Sequence, residues 1–245
     1  MIEKRTGRQT AKAAEETRQE ILVAAADLFS DKGYAAVSLR AISEQAGVSH
    51  TLIRHHFGSK LQIWQHICDC MHQHFQDYTN QLVAEQAKDL SSRHKLFDLL
   101  IRLLAKLQVD SRPIRLLHDA VNNEQELFEY FLEEEAQVRD IIDNLVKECH
   151  QQGYLIHFNI GELKWLLTVF ATSSATLAPI LAKPYPGKTD EYCQLKSWQM
   201  FSRLLASQLE IAEHDIPQPK HLSELVIKTA PCSFVVNKEE QEKTT

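Results

Sequence analysis

One short segment, residues 38–57, concentrates side chains suited to contacts with nucleic acid. The segment has room for two short helices, which would bury little surface alone. Their apolar residues must therefore pack on a neighbouring helix and leave the polar residues outside. Hydrogen-bond donors that suit phosphates and base edges occupy this outer face. They are Arg40, His50, Thr51, Arg54 and His55. A second helix with such a face fits the major groove of DNA, where hydrogen bonds distinguish the base pairs.

Local signals predict the elements that position these residues. Ser38 is expected to cap a helix over about 39–46, and Ser49 to cap a second helix that runs to about His55. Backbone amides are free at helix N-termini, so those at Ser38, Ser49 and Lys60 are suited to holding phosphates. The segment is therefore predicted to be a helix-turn-helix.

The flanking segments complete an expected DNA-binding domain over residues 17–77. Thr17, with Glu20 three residues on, has the pattern of a capping box that begins the first helix. Residues 1–16 are polar and basic at first, and we expect a flexible arm that either enters an adjacent minor groove or only keeps the chain soluble. Ser59 is expected to cap a long fourth helix.

Residues 17–67 resemble the DNA-binding domain of the TetR family of bacterial regulators in the order and spacing of several residue types. The matching residues are Ile21, Ala25, Leu28, Phe29, Gly33, Tyr34, Ser38, Ile42, Ala46, Gly47, Val48, Ser49, His56, Phe57, Ser59 and Lys60. The resemblance implies an all-α fold, with an N-terminal three-helix DNA-binding domain followed by a helical ligand-binding and dimerisation domain. The rest of the chain is similar to the family only in its expected architecture.

The resemblance also implies roles for individual residues. Ser38 would contact phosphate, and Arg40 would reach a base or a phosphate. His50 and Thr51 would meet the groove, while His56 and Lys60 would clamp the DNA backbone.

Two positions depart from the family pattern and affect which operator is read. Arg54 stands where family members usually have Tyr, and Leu52 where they often have Thr. Arg54 is able to bind phosphate or to read guanine with two hydrogen bonds, whereas Leu52 is limited to contacts such as a thymine methyl.

The second domain, residues 78–215, is predicted to be helical throughout. Asn159 with Glu162 begins one helix that is expected to continue to about Ala182, and Thr189 begins the last long one. By resemblance, residues 159–182 and 189–213 would pair across a homodimer, and the middle helices would enclose a small apolar or amphipathic effector. The tail, 216–245, contains prolines and then polar residues, and is expected to be loose.

Composition and charge agree with a DNA contact confined to the N-terminal part. Residues 1–66 carry nine Lys and Arg against seven Asp and Glu, although the whole chain has a net charge of −6. The five cysteines form no disulfide-like framework, and no signal peptide or membrane span is evident, so a cytoplasmic protein is the simplest interpretation.

Other activities have weaker support in the sequence. A cluster of His and Cys on the fourth helix has spacing that metal ligands use, but residues eight apart lie about 12 Å apart along a helix and cannot share one ion. Its members are His66, Cys68, Cys70, His72 and His74. No catalytic constellation, metal site or cofactor motif is identified. The sequence predicts a repressor released from a palindromic double-stranded operator by an effector, and the alternative is a DNA-bound scaffold whose helical body binds a partner protein.

Overall fold

The computed structural model describes residues 4–123, 125–133 and 136–229, and over these ranges the regular structure is entirely helical. This confirms the all-α prediction. The helices are α1 Lys4–Lys32, α2 Leu39–Ala46, α3 His50–Phe57, α4 Lys60–Glu85, α5 Ser92–Val109, α6 Arg112–Asn123, α7 Gln125–Glu133, α8 Ala136–Gln151, α9 Ile160–Thr176, α10 Ala178–Ala182 and α11 Asp190–Gln208. Two short 3₁₀ helices follow, Glu213–Asp215 and Leu222–Leu225.

The start of the first helix differs from the prediction. Helix α1 begins at Lys4, so the expected capping box at Thr17 is wrong, and residues 4–16 are helical instead of forming an arm. The physical reason lies in residues 11–16, which are only Ala, Lys and Glu. These residue types have high helix propensity, and they extend the helix beyond the local capping signal.

The described residues divide into two compact units, and the division falls inside α4 and α6. One unit contains residues 4–74 and 119–133. Its core is built from apolar residues of the first four helices that are almost fully buried: Ile21, Ala25, Phe29, Ile42, Ile53, Phe57, Ile63, Trp64 and Ile67. The distant segment 119–133 joins this unit, since the ring of Tyr130 packs edge-on against Trp64 and its hydroxyl donates to Asp69 Oδ1 over 2.6 Å.

The second unit contains residues 75–118 and 136–229. Helix α5 lies at its centre, because its residues from Leu96 to Ala105 are mostly buried. Trp198 of α11 is fully buried, and its Nε1 donates to the carbonyl of Ile101 over 2.8 Å. This bond satisfies two polar groups that would otherwise be costly inside the core.

Helix α9 begins as predicted and ends earlier than predicted. The Asn159 side chain accepts from the Glu162 amide at 3.0 Å, and the Glu162 carboxylate accepts from the Asn159 amide at 2.8 Å. The helix stops at Thr176 and not at Ala182, and the separate turn α10 follows. Pro179 explains the break, because its nitrogen has no hydrogen to donate to the preceding turn.

The expectation of a loose tail is wrong for residues 216–229. Ile216, Leu222 and Leu225 are buried in the core of the second unit. Six residues before this segment, the carbonyl of Glu210 accepts from Arg93 of α5 over 3.0 Å. Widely spaced apolar residues therefore dock the segment without a helical or strand period that sequence analysis could detect. The remainder of the predicted tail lies outside the described residues.

Over the same described ranges, none of the helices is both long and apolar enough to cross a membrane.

Candidate nucleic-acid interface

The helix-turn-helix is held by two serine caps and one glycine. Ser38 Oγ accepts from the amide of Ala41 over 3.1 Å, and Ser49 Oγ accepts from the amide of Leu52 over 3.2 Å. Gly47 closes α2 with a φ of 67°, a conformation that glycine adopts without strain. Both predicted caps are confirmed, and they leave the first amides of α2 and α3 at the surface.

The predicted outer face is exposed. Arg40, His50, Thr51, Arg54 and His55 are all solvent-exposed, as are the two capping serines. On the opposite side of α3, Ile53 and Phe57 are buried in the core of the unit. Packing therefore fixes which side of α3 is available to another molecule.

Arg40 has an internal partner. Its Nε donates to Glu44 Oε1 over 2.8 Å, one turn further along α2. This hydrogen bond, followed by the charge of Glu44, raises the pKa of Arg40. Because the pair is exposed, it is weak and competes poorly with a phosphate.

The ammonium of Lys60 is bound within the protein and is not free to hold a phosphate. Its Nζ donates to the carbonyls of Tyr34 over 2.8 Å and of Val37 over 3.0 Å. The same ammonium lies 4.0 Å from the centre of the Tyr34 ring. The charge of Lys60 thus binds the loop between α1 and α2. His56, the other residue expected to clamp DNA, is half-buried, and its ring centre lies 6.3 Å from that of Phe57.

The His and Cys residues of α4 are spread over different surroundings. Cys68 is fully buried, and burial raises the pKa of its thiol. His66 packs edge-on against Phe57, and His72 packs edge-on against Phe131 with ring centres 5.0 Å apart. Among the residues that the structure describes, no three His, Cys, Asp or Glu side chains are grouped so that they could hold a metal ion.

Sequence reasoning missed one residue that contacts this region. The carboxylate of Asp119 accepts from the amide of Tyr34 over 2.6 Å. The two residues are 85 positions apart, so no local pattern could indicate the contact.

Comparison with known proteins assigns the N-terminal segment. Residues 21–67 match the family model described as bacterial regulatory proteins, tetR family. The TetR family is therefore the family that this N-terminal segment matches. The matched segment begins within α1, includes the complete helix-turn-helix and ends within α4, so the resemblance in the sequence is confirmed by the family model and by the fold.

The relatives that this chain matches are transcription regulators. The regulator TtgR of Pseudomonas putida is 28% identical over 145 residues, which cover 59% of this chain and 65% of TtgR. A transcriptional repressor of Mycobacterium tuberculosis, Rv3405c, is 34% identical over 124 residues, which cover 51% of this chain and 60% of the repressor. The chain thus spans just under two thirds of the length of these relatives.

Solved structures support the TetR-type fold over a larger part of the chain. FadR of Bacillus subtilis, solved in complex with stearoyl-CoA, aligns with a TM-score of 0.60 at 20% identity and covers 77% of this chain and 97% of its own. A TetR regulator of Chloroflexus aurantiacus aligns with a TM-score of 0.62 at 17% identity. The alignment covers 80% of this chain and 98% of that regulator. At these identities the likeness concerns the fold alone.

Proposed function

We propose that this TetR-family chain is a sequence-specific DNA-binding regulator of transcription that reads a double-stranded operator with α3. The observation that carries the proposal is the two-sided character of α3. His50, Thr51 and Arg54 are exposed, whereas Ile53 and Phe57 are buried. A short helix anchored by its apolar side and lined with donors on the other fits the major groove.

The exposed residues divide into two kinds of contact. The amides at the N-termini of α2 and α3, next to Ser38 and Ser49, are placed to bind phosphates and to set the register on DNA. Arg54 is the strongest candidate for base reading, since its guanidinium matches the two acceptors of guanine. His50, Thr51 and His55 supply further donors, and Arg40 reaches DNA after releasing Glu44.

A homodimer would form through residues 159–182 and 189–213. Large apolar side chains in these ranges are exposed. Trp165 is 69% exposed and Ile180 is 61% exposed. Val169, Leu177, Met200 and Leu204 are also exposed. An apolar surface of this kind favours a partner, and a two-fold axis would present two copies of α3 to a palindromic operator.

The proposed regulator is a repressor that an effector releases from the operator. Two proteins of similar fold were solved with a small molecule: FadR in complex with stearoyl-CoA and SmeT in complex with triclosan. For this chain we propose a small apolar or amphipathic effector bound by the helical body. Release requires that the effector bind the DNA-free arrangement more tightly than the DNA-bound one.

The exposed surface around Trp165 also supports a second candidate, a DNA-bound scaffold whose body binds a partner protein. The two candidates differ in what covers this surface. If the purified protein is a dimer in solution that a change at Trp165 weakens, a second copy covers this surface. A monomer that still binds an operator would favour the scaffold.

The test of DNA reading is selection of genomic fragments by the purified full-length protein, followed by sequencing of the retained DNA. The proposal predicts a palindrome whose half-sites are about one helical turn, 10 base pairs, apart or a multiple of that. No enrichment over random DNA at physiological salt would contradict sequence-specific binding.

A further inference from the structure

The loop between α1 and α2 determines where the reading helices begin. It contains Gly33, Tyr34 and Val37, and it ends at Ser38, the cap of α2. Tyr34 is 7% exposed, and its ring lies 5.5 Å from that of Phe29 in α1. The side chain is therefore anchored in the core, while the backbone of the loop passes close to two charged groups from other helices.

One of these groups is the carboxylate of Asp119 in α6. Its Oδ2 accepts from the amide of Tyr34 over 2.6 Å. Its Oδ1 would lie 2.6 Å from a Cβ placed on Gly33, so only glycine leaves room for the carboxylate. Gly33 also has a φ of 80°, which a side chain would strain.

The other charged group is the ammonium of Lys60, which binds the carbonyl of Tyr34. An anion thus holds the amide of Tyr34, and a cation holds its carbonyl. Hydrogen bonds to charged groups are about twice as strong as neutral ones, so both contacts fix the loop more firmly than ordinary turn bonds. Asp119 and Lys60 come from parts of the chain outside the loop, and all three belong to the same compact unit.

We propose that Asp119 is a positioning residue for DNA binding. It holds the backbone of Gly33 and Tyr34, and through this loop it sets the start of α2 and the placement of the helix-turn-helix. Asp119 itself does not contact DNA in this account. The inference rests on the proposed function and deepens it, because it adds a residue from α6 to the reading unit.

The test compares Asp119→Ala, Asp119→Asn and a control, Asp140→Ala, which removes an exposed carboxylate from α8. The full-length proteins are assayed for hydrogen exchange of the Tyr34 amide and for affinity towards the selected operator and towards random duplex DNA. Asp119→Ala is expected to speed the exchange and to weaken operator binding about tenfold, with random DNA unaffected. Asp119→Asn keeps an acceptor oxygen and should retain most of the slow exchange of the Tyr34 amide and most of the operator affinity. Asp140→Ala should change neither quantity.

A second pair of variants tests the contact from the side of the loop. Gly33→Ala adds a Cβ against Asp119, whereas Gly153→Ala adds one in open space at a similar φ of 86°. Gly33→Ala should weaken operator binding and Gly153→Ala should not. In a protein that already carries Asp119→Ala, Gly33→Ala should reduce operator affinity by a smaller factor, because the carboxylate that the new Cβ would meet is absent.

Three results would overturn the inference. Unchanged exchange of Tyr34 in Asp119→Ala would mean that the contact does not hold the loop. Faster exchange with unaltered operator affinity would make the contact structural only. If the wild-type protein selects no operator, the positioning role falls together with the proposed function, while the exchange measurement still reports separately whether Asp119 holds the amide.

Discussion

The ammonium of Lys60 donates to the carbonyl of Tyr34 over 2.8 Å and lies 4.0 Å from the centre of the same residue's ring. Family resemblance implies that Lys60 clamps the DNA backbone. In the structure its charge is directed at a loop of the protein. The two roles predict different responses to salt, because only a lysine that neutralises a phosphate releases counterions on binding.

Replacing Lys60 by Met should therefore lower stability and leave the salt dependence of DNA binding unchanged. Loss of two charge-assisted hydrogen bonds is expected to reduce the free energy of unfolding by about 2 kcal/mol. Urea unfolding and operator affinity at several salt concentrations measure the two effects. Lys147→Met, at an exposed position of α8, is the control for the lost charge and should alter neither quantity. A decrease of about one in the slope of log affinity against log salt would instead identify Lys60 as a phosphate ligand.

The cap of α3 provides a second prediction. Ser49→Ala removes the oxygen that accepts from the Leu52 amide and should lower the free energy of unfolding by about 1 kcal/mol. Operator binding should weaken as well, because the N-terminus of α3 would fray. The matched variant is Thr189→Ala, which removes the corresponding cap of α11 at the Tyr192 amide.

Thr189→Ala is expected to cost similar stability and, at protein concentrations that keep the proposed dimer intact, to leave operator binding unchanged. Urea unfolding measures the stability lost in each of the two variants, and affinity for the selected operator shows which cap matters for DNA binding. Equal losses of operator affinity in both variants would mean that the effect of Ser49 on DNA binding is an effect of global stability.

The elements that sequence analysis predicted well are those fixed by neighbours in the chain. The caps at Ser38, Ser49, Asn159 and Thr189 involve partners within three residues, so residue type and spacing suffice to find them. The exposed donors of α3 followed from helical periodicity in the same way.

The elements that sequence analysis missed depend on distant partners. Tyr34 and Asp119 meet across 85 positions, and Trp198 and Ile101 across 97. The family resemblance implies that Lys60 faces DNA, and only its contacts with Tyr34 and Val37 reveal an internal role. The tail residues Leu222 and Leu225 are buried through contacts that their spacing does not encode.

The proposed dimer surface predicts an effect on oligomeric state. Trp165→Glu places a charge on an apolar surface that a second copy would bury, and should raise the dimer dissociation constant by at least about tenfold. The helical content should stay unchanged because Trp165 is 69% exposed. Sedimentation equilibrium measures the dissociation constant. Ile156→Glu is the control, since Ile156 is 67% exposed but lies outside the proposed surface.

If Trp165→Glu and Ile156→Glu sediment alike, the surface around Trp165 does not hold the dimer. If the wild-type protein is monomeric at all concentrations, the homodimer proposal is wrong.

His72 is half-buried, its two ring nitrogens are buried, and it predicts a dependence of stability on pH. Burial lowers the pKa of His72 below its ordinary value of 6.5, and the charge of Asp69 opposes this shift only in part. Below pH 6.5 the unfolded chain therefore binds more protons at this position than the folded protein. Stability contributed by His72 is complete above that pH and is lost as the pH falls towards the lowered pKa.

His72→Phe keeps a ring against Phe131 and removes the titrating group. Urea unfolding at pH 7.5 and pH 5.5 should show a smaller loss of stability on acidification in the variant than in the wild type. His221 provides a contrast. Its hydrogen bond to Glu191 raises its pKa, so any stability from this exposed pair is present at low pH and is lost as the pH rises. An identical loss in His72→Phe and wild type would contradict the buried, neutral state of His72.

If α3 reads base sequence, the protein must bind its operator much more tightly than random duplex DNA, and the ratio of the two affinities measures this. At physiological salt we expect a ratio of at least about 1,000 for the wild type. Arg54→Ala should reduce this ratio by about 10- to 100-fold, whereas Lys147→Ala, with the same loss of charge, should leave it unchanged. A wild-type ratio near one, or an Arg54→Ala variant that weakens both affinities equally, would contradict base reading by α3.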